Sequence, residues 1–388
     1  MRVLVVSRTY PPVVGGIERF SFHLASELSQ ICQTTLLVNR RGKKALPFFL
    51  PYAALASVVP VKRRKIELVH LCDALLAPVG LLVKKMTGAP VTATVHGLDA
   101  TYANRLYQAT LCRTLPKLDR IIAVSESTRQ ISLQRWPELA AKTTVVANGV
   151  QPPPDQPTHR LPAELEERLA GRRVLLTVGR LIKRKGVAWF IEEVLGMLPE
   201  DVCYLVVGDG PERQAVERVA NSTGRAAQVV LAGRVSDAAL EAVYTRADLF
   251  LMPNVSVPGD VEGFGLVALE AAARNLPVVA ADLQGIPEAI HDGRNGFLIE
   301  AGRASAFAGK VQELLALSAS RRAQLAKRFR DYTLETFSWQ NTAAGYEREF
   351  RSLLYAADGP PTADHARERN TVAAIAPLGT RTDWSDKY

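Results

Sequence analysis

Short unbroken runs of aliphatic and β-branched residues recur along this chain, and between them apolar residues return at helical spacing. The runs in the first half are Val3–Val6, Thr34–Val38, Leu68–Leu71, Val91–Val95, Arg120–Val124 and Thr143–Ala147. Those in the second half are Val174–Val178, Cys203–Val207, Val229–Ala232, Leu249–Met252 and Val278–Ala280. Continuous rather than alternating apolar character predicts parallel strands buried on both faces, with helices as the crossovers. The two halves also open alike. Val3–Val6 leads through a loop to Gly15-Gly16 and an expected helix, and Val174–Val178 leads through Gly179 to Gly186 and an expected helix over Val187–Leu195. Strand, glycine turn and helix is how a nucleotide-binding βαβ unit begins. The pattern predicts an α/β protein of two doubly wound parallel sheets. Two such halves facing each other enclose a cleft at the carboxyl ends of their strands, where open α/β sheets bind ligands.

Composition sharpens the boundaries. Gln151-Pro-Pro-Pro-Asp-Gln-Pro157 fits neither a helix nor an inner strand and reads as a linker. We therefore expect a Rossmann-like lobe with its linker over 1–157, a second lobe over 158–337, a terminal amphipathic helix over 338–356 and a disordered tail over 357–388. At 388 residues, 47% hydrophobic and 22% charged, the chain is ordinary for a globular protein. Four scattered cysteines without a CxxC pair argue against a disulfide scaffold or a zinc site and fit a reducing compartment. The apolar run at the N-terminus, Val3–Val6, is too short for a signal peptide. The uncharged stretch 45–61 holds Pro47, Pro51 and Pro60, which speaks against a membrane-spanning helix.

Charge is unevenly placed. Residues 1–150 carry 20 Lys and Arg against 8 Asp and Glu, whereas the remaining 238 carry 28 against 31. Only the first half is expected to meet an anionic partner. Clusters at Arg40-Arg41-Lys43-Lys44 and Lys62-Arg63-Arg64-Lys65 flank the apolar run. They fit an anionic membrane surface contacted through 40–65, with Phe48, Phe49, Leu50 or Tyr52 dipping below the head groups, or else a solvated face beside a core helix. No nucleic-acid motif accompanies the charge, so no nucleic-acid partner is expected.

Candidate chemistry gathers in the turns. Gly179-Arg-Leu-Ile-Lys-Arg-Lys-Gly186 packs four cations into six residues between a strand and an expected helix start, which points to a diphosphate held by backbone N–H groups, Arg180 and Lys185. The other reading is a basic surface loop. Gly15-Gly16 lacks the GxGxxG spacing, and Asn39-Arg40 follows Val38 where a ribose-binding acid belongs, so an NAD dehydrogenase is excluded. Glu262-Gly-Phe-Gly-Leu-Val-Ala-Leu-Glu270 sets two acids eight residues apart. Even on one helix they would lie ~12 Å apart along its axis, too far to share a proton, so they read as two hydrogen-bonding groups on one long ligand. Glu270 taken alone reads better as a partner of its own helix dipole. His96-Gly97 closes the run Val91–Val95 and belongs at a strand's carboxyl end; Asp99 orients or caps there.

Taken in order, Gly15-Gly16, His96-Gly97, Asn148-Gly149-Val150, Gly179-Arg180 with Lys185-Gly186, Gly208-Asp209-Gly210, Gly233, the Glu262–Glu270 pair and Pro287-Glu288 resemble the family-4 retaining glycosyltransferases of GT-B fold, over about residues 1–356. The resemblance implies two facing Rossmann-like domains, the first for the acceptor and the second for a nucleotide-sugar donor, with the helix after 338 crossing back onto the first. It implies that Arg180 and Lys185 hold the donor diphosphate and that Gly16 approaches it from the opposite wall. Glu270 would take the ribose and Glu262 the donor sugar's hydroxyls, with the N–H groups of Phe264, Gly265 and Leu266 supporting sugar and phosphate. His96 would lie near the reacting side of the sugar, Asp99 beside it, and Arg234 and Val235 would face the base. Arg180, Lys185, Glu262 and His96 are thus the expected catalytic set. The expected reaction moves a hexose from a UDP- or GDP-sugar, with retention, to a glycan or lipid-linked acceptor of cell-envelope glycan synthesis (lipopolysaccharide, polysaccharide or glycolipid). No cofactor or metal is expected, the nucleotide-sugar being a co-substrate, and the expected location is cytoplasmic, peripheral on the inner membrane. A sugar-nucleotide 2-epimerase on the same architecture and a non-catalytic membrane-surface module are the rival readings.

Overall fold

The computed structural model describes residues 1–13, 15–63, 65–154 and 160–355; the expected tail 357–388 and residues 155–157 of the expected linker lie outside them. The first sheet comprises β1 (Arg2–Ser7), β2 (Gln33–Val38), β3 (Leu68–Leu71), β4 (Val91–Val95), β5 (Arg120–Ala123) and β6 (Thr143–Val145). The second comprises β7 (Arg173–Val178), β8 (Val202–Val207), β9 (Val229–Gly233), β10 (Leu249–Met252), β11 (Val278–Asp282) and β12 (Phe297–Glu300). Their orders are β2-β1-β3-β4-β5-β6 and β12-β11-β10-β7-β8-β9, and all paired neighbours are parallel. Each order reverses once, between β1 and β3 in the first sheet and between β7 and β10 in the second. Such a reversal opens a crevice at the carboxyl ends of the strands.

The crossovers of the first lobe are α1 (Gly16–Ile31), α2 (Leu46–Arg63), α3 (Ala77–Thr87), α4 (Gly97–Thr101), α5 (Arg105–Thr114) and α6 (Glu126–Arg135). The second lobe adds α7 (Ala163–Leu169), α8 (Val187–Trp189), α9 (Arg213–Ser222), α10 (Asp237–Arg246), α11 (Leu266–Ala273), α12 (Ile286–Ala289), α13 (Ala304–Ala316) and α14 (Ala319–Thr336), and the described chain closes with α15 (Trp339–Tyr355). In the first lobe one face of the sheet is covered by residues from α2, α3 and α5. The other is covered by α1 and α15, which bury Phe20, Leu24, Tyr346 and Phe350 against Val3 and Val5.

α15 therefore belongs physically to the first lobe. Two crossings run side by side there, with the Val150 N–H donating to the Phe337 carbonyl at 2.7 Å. A Cβ on Gly149 would meet the Trp339 ring at 2.7 Å, so the crossing strand has no room for a side chain at that point. Further along α15, the Tyr346 hydroxyl, the Thr94 hydroxyl and the His70 ring form a buried chain at 2.9 and 3.2 Å. Burial pushes His70 down to about 3, so the imidazole stays neutral and the chain carries no uncompensated charge.

Two expectations are corrected. β12 was not expected: Phe297–Glu300 is a half-buried edge strand of four residues, too short and too polar at its end to stand out as a run. The expected helix Val187–Leu195 is not regular. An α-turn over Val187–Trp189 passes into a π-helical stretch, Phe190–Val194, and a tight turn, Leu195–Met197. The stretch 45–61, whose prolines speak against a membrane-spanning helix, forms most of α2, which runs through Pro51 and Pro60. Pro51 is exposed, and Pro60, half-buried, lines a groove with Leu36 and Leu37 of β2.

Phe350 is fully buried between α15 and the sheet. Phe350→Ala is expected to cost about 3–5 kcal/mol. Urea unfolding checks this, and a loss below about 1 kcal/mol would mean that α15 is not part of the lobe's core.

Candidate functional site

The turn after β7 and the loop after β10 meet because those strands are neighbours at the reversal point of the second sheet. The turn is set by Gly186, which adopts φ +67; a Cβ there would come within 1.8 Å of the Pro253 carbonyl oxygen. Only glycine fits. That contact seats the cationic turn against the loop 253–262 and brings two distant sequence motifs together.

Their charges converge on one carboxylate. Glu262 Oε2 accepts from Lys185 Nζ at 2.6 Å, from Asn254 Nδ2 at 3.0 Å, and from Arg184 Nη1. Arg184 also donates to Asp260 at 2.9 Å. The side chains of Lys185, Arg184 and Glu262 are each only 12% exposed. Burial alone would raise the Glu262 carboxyl; the Lys185 and Arg184 cations overcome it and hold the group below the usual carboxylate range. Arg180, by contrast, is exposed, and its guanidinium has no hydrogen-bond partner among the described residues.

The rest of the expected donor set lies around this point. Gly265 takes φ +87 and starts α11, and the N–H groups of Phe264, Gly265 and Leu266 have no acceptor among the described residues. Free N–H groups at a helix start, aligned with its dipole, suit an anion. Phe264 itself is buried against Phe337, ring centroids 6.1 Å apart, so its side chain serves the lobe junction. Glu270 lies on α11, where burial pushes its carboxyl up; Arg274 and the first-lobe cation Arg19 offset this only in part. Its nearest hydroxyl, that of Tyr244, donates at 3.4 Å. Arg234 is exposed and Val235 half-buried just past the end of β9.

The first lobe presents the opposite wall. Gly16 opens α1, and the space where its Cβ would stand is empty for 4 Å. His96 follows β4; its Nε2 is 3.0 Å from the Cys72 carbonyl oxygen, and its ring meets Phe20 edge-on with centroids 5.0 Å apart. Asp99 is a positioning group. Its Oδ2 accepts the His96 N–H at 2.8 Å and its Oδ1 accepts from the Tyr107 hydroxyl at 2.6 Å, so both oxygens are used within the fold. Next to it, at the reversal point of this sheet, Arg8 Nε donates to Asp73 at 2.9 Å. Asp73 is fully buried, which pushes its carboxyl up to about 6 despite Arg8.

Three contacts lock the walls face to face. The Ser125 hydroxyl donates to the Gly263 carbonyl at 2.6 Å. The Glu288 carboxylate caps the start of α6, accepting from the Ser127 N–H at 2.6 Å and from the Glu126 N–H. Arg19 on α1 pairs with Asp237 on α10 at 2.7 Å. Sequence reasoning singled out neither Ser125 nor the partners of Glu262, Arg184 and Asn254. It quoted Pro287-Glu288 without a role, and the structure supplies one. Among the described residues no group of three His, Cys, Asp or Glu is placed to hold a metal ion.

Comparison with known proteins follows this geometry. A family model described as Glycosyl transferases group 1 matches residues 172–317, and one described as Glycosyltransferase Family 4 matches residues 14–152. A GDP-mannose-dependent alpha-(1-6)-phosphatidylinositol monomannoside mannosyltransferase from Mycolicibacterium smegmatis is 28% identical, over 88% of this chain and 96% of its own length. A D-inositol 3-phosphate glycosyltransferase from Segniliparus rotundus is 31% identical, over 74% of this chain and 66% of its own length. Among solved structures, Anabaena HepE in complex with UDP superposes with a TM-score of 0.67 at 18% identity, covering 91% of this chain and all of that one. The two-sheet architecture is the GT-B fold.

The Glu288 cap gives a direct test of how the walls are held. Glu288→Ala is expected to cost about 0.5–2 kcal/mol in thermal or urea unfolding. Small-angle scattering should also show a larger radius of gyration, and an unchanged radius would mean that the cap does not hold the lobes together.

Proposed function

Because this chain belongs to the family-4 glycosyltransferases and is a nucleotide-sugar-dependent enzyme, we propose that it moves a hexose from a GDP- or UDP-sugar, with retention of configuration, to a glycan or lipid-linked acceptor in cell-envelope glycan synthesis. Three relatives that match over 88% of this chain are named for GDP-mannose and phosphatidylinositol monomannoside, which makes GDP-mannose the first donor to try. The observation that carries the reading is the buried cluster of Lys185, Arg184, Asn254 and Glu262 at the reversal point of the second sheet, beside the free N–H groups of residues 264–266.

The chemistry follows from charge. Cleaving the bond between the anomeric carbon and the diphosphate leaves negative charge on the departing oxygen. Fixed cations and N–H groups at that oxygen favour the transition state over the ground state. Lys185 and Arg180 supply the cations. In the unliganded arrangement Glu262 occupies Lys185. A diphosphate takes that lysine over, leaving Glu262 oriented by Asn254 and Arg184 to accept from sugar hydroxyls. The acceptor hydroxyl attacks the anomeric carbon from the face the diphosphate leaves, and its proton passes to the departing phosphate oxygen. His96, held by Asp99, borders that face from the first lobe.

Lys185→Ala and Arg180→Ala are each expected to reduce kcat/KM by about 2–4 kcal/mol of transition-state stabilisation, read by transfer assays with each nucleotide sugar. Turnover close to that of the parent in both variants would remove the site. Glu262→Gln is expected to bind free GDP or UDP at least as tightly in calorimetry, because Lys185 is released, while transfer falls by about 2 kcal/mol or more. Weaker nucleotide binding in that variant would contradict the exchange of partners.

A further inference from the structure

We propose that the outward face of α2, with the cationic segments at its two ends, docks on an anionic phospholipid bilayer. From Leu46 to Val61 the chain carries no charged residue. Phe49, Ala53, Ala54, Ser57 and Val61 of this helix are buried in the first lobe. On the opposite side Phe48, Tyr52, Leu55 and Val59 are 80%, 59%, 65% and 52% exposed. Their spacing of four, three and four places them in one line along the helix. A surface helix of a protein that meets only water carries polar residues there. Beside the stripe, Leu36, Leu37, Ala56, Val59 and Pro60 line a groove of about 300 Å³ with Arg63 at its rim, and on α3 Leu82 and Met86 are also exposed.

The charge around this face selects the occupant. Arg40, Arg41, Lys43 and Lys44 at one end and Lys62, Arg63 and Lys65 at the other are all exposed. Between residues 40 and 118 there are 13 Lys and Arg and three Asp and Glu. Of those acids Asp73 and Asp99 are buried, and Glu67 is tied to the backbone N–H of Arg2 at 2.6 Å. An apolar line between two cationic ends, with no free acid nearby, fits acyl chains below anionic head groups. The Lys43–Arg63 segment is long and apolar enough to cross a bilayer, but its inner residues belong to the lobe's core and both its ends are cationic. It therefore lies along the surface. Leu98 on α4, Tyr102 just after it and Leu106 on α5 are exposed as well, close to His96 in sequence. The benefit of this geometry, that a lipid-linked acceptor reaches the cleft along the membrane, rests on the proposed function; the docking itself does not.

Vesicle flotation of the full chain tests the surface. The protein should float with vesicles of phosphatidylcholine and phosphatidylglycerol and stay behind with phosphatidylcholine alone. Raising salt to ~1 M, where the Debye length falls to ~3 Å, should release much of it. Phe48→Ser combined with Leu55→Ser, and separately Lys43→Glu, Lys44→Glu, Lys62→Glu and Arg63→Glu together, should each cut flotation at least tenfold. Binding of GDP or UDP by calorimetry should be unchanged in both, which shows that the lobes are folded. Equal flotation of parent and variants, no flotation with anionic vesicles, or a soluble oligomer dissolved by the Phe48 and Leu55 changes would each overturn the proposal. Failure of sugar transfer with flotation intact would count against the proposed reaction and leave the surface standing.

Discussion

A carboxylate taken out of water must be paired or it will not stay ionised. Glu262 meets this demand by drawing Lys185, Arg184 and Asn254 onto a single oxygen. The pairing ties the turn after β7 to the loop after β10, and that junction is where the strand order of the second sheet reverses. Gly186, the loop 253–262 and the start of α11 all have the positions they have because this charge cluster must close. The cluster holds two cations in place at the turn after β7. Such preorganisation lowers the reorganisation left for the moment of reaction.

The two lobes contribute unequally. The second carries the anion-binding geometry and is nearly neutral in sequence, with four of its cations set in the turn after β7. The first carries the excess of basic residues, a histidine set by Asp99 and the exposed face of α2. The walls are joined by polar contacts between backbone and side chain, Ser125 to Gly263 and Glu288 to the start of α6, with the apolar junction around Phe264 and Phe337 behind them.

Much of this was legible in the chain because the signals are local. Parallel strands buried on both faces write themselves as continuous runs, and eleven of the twelve were readable that way. β12 escaped because an edge strand of four half-buried residues leaves no such run. Pro51 and Pro60 each remove an N–H donor from α2, a local signal against a helix that the packing of Phe49, Ala53, Ala54, Ser57 and Val61 overrides. At the site, residue types and glycines were readable, since a cationic turn between glycines has few other uses. The partners were not. Arg184 meets Glu262 because strands 74 residues apart in sequence are adjacent in the sheet, as the Leu175–Leu249 pairing shows, and Asn254 meets it because the loop after β10 folds back on itself. Asp99 reads as an orienting or capping residue in sequence, and the Tyr107 hydroxyl, brought in by α5, occupies its second oxygen.

The most direct test of the account is a crystal structure of the chain with GDP or UDP bound. The account predicts the pyrophosphate within hydrogen-bond distance of Lys185 Nζ and the N–H groups of residues 264–266, with Lys185 turned away from Glu262. A nucleotide lodged elsewhere, with the Lys185–Glu262 pair still closed, would contradict it.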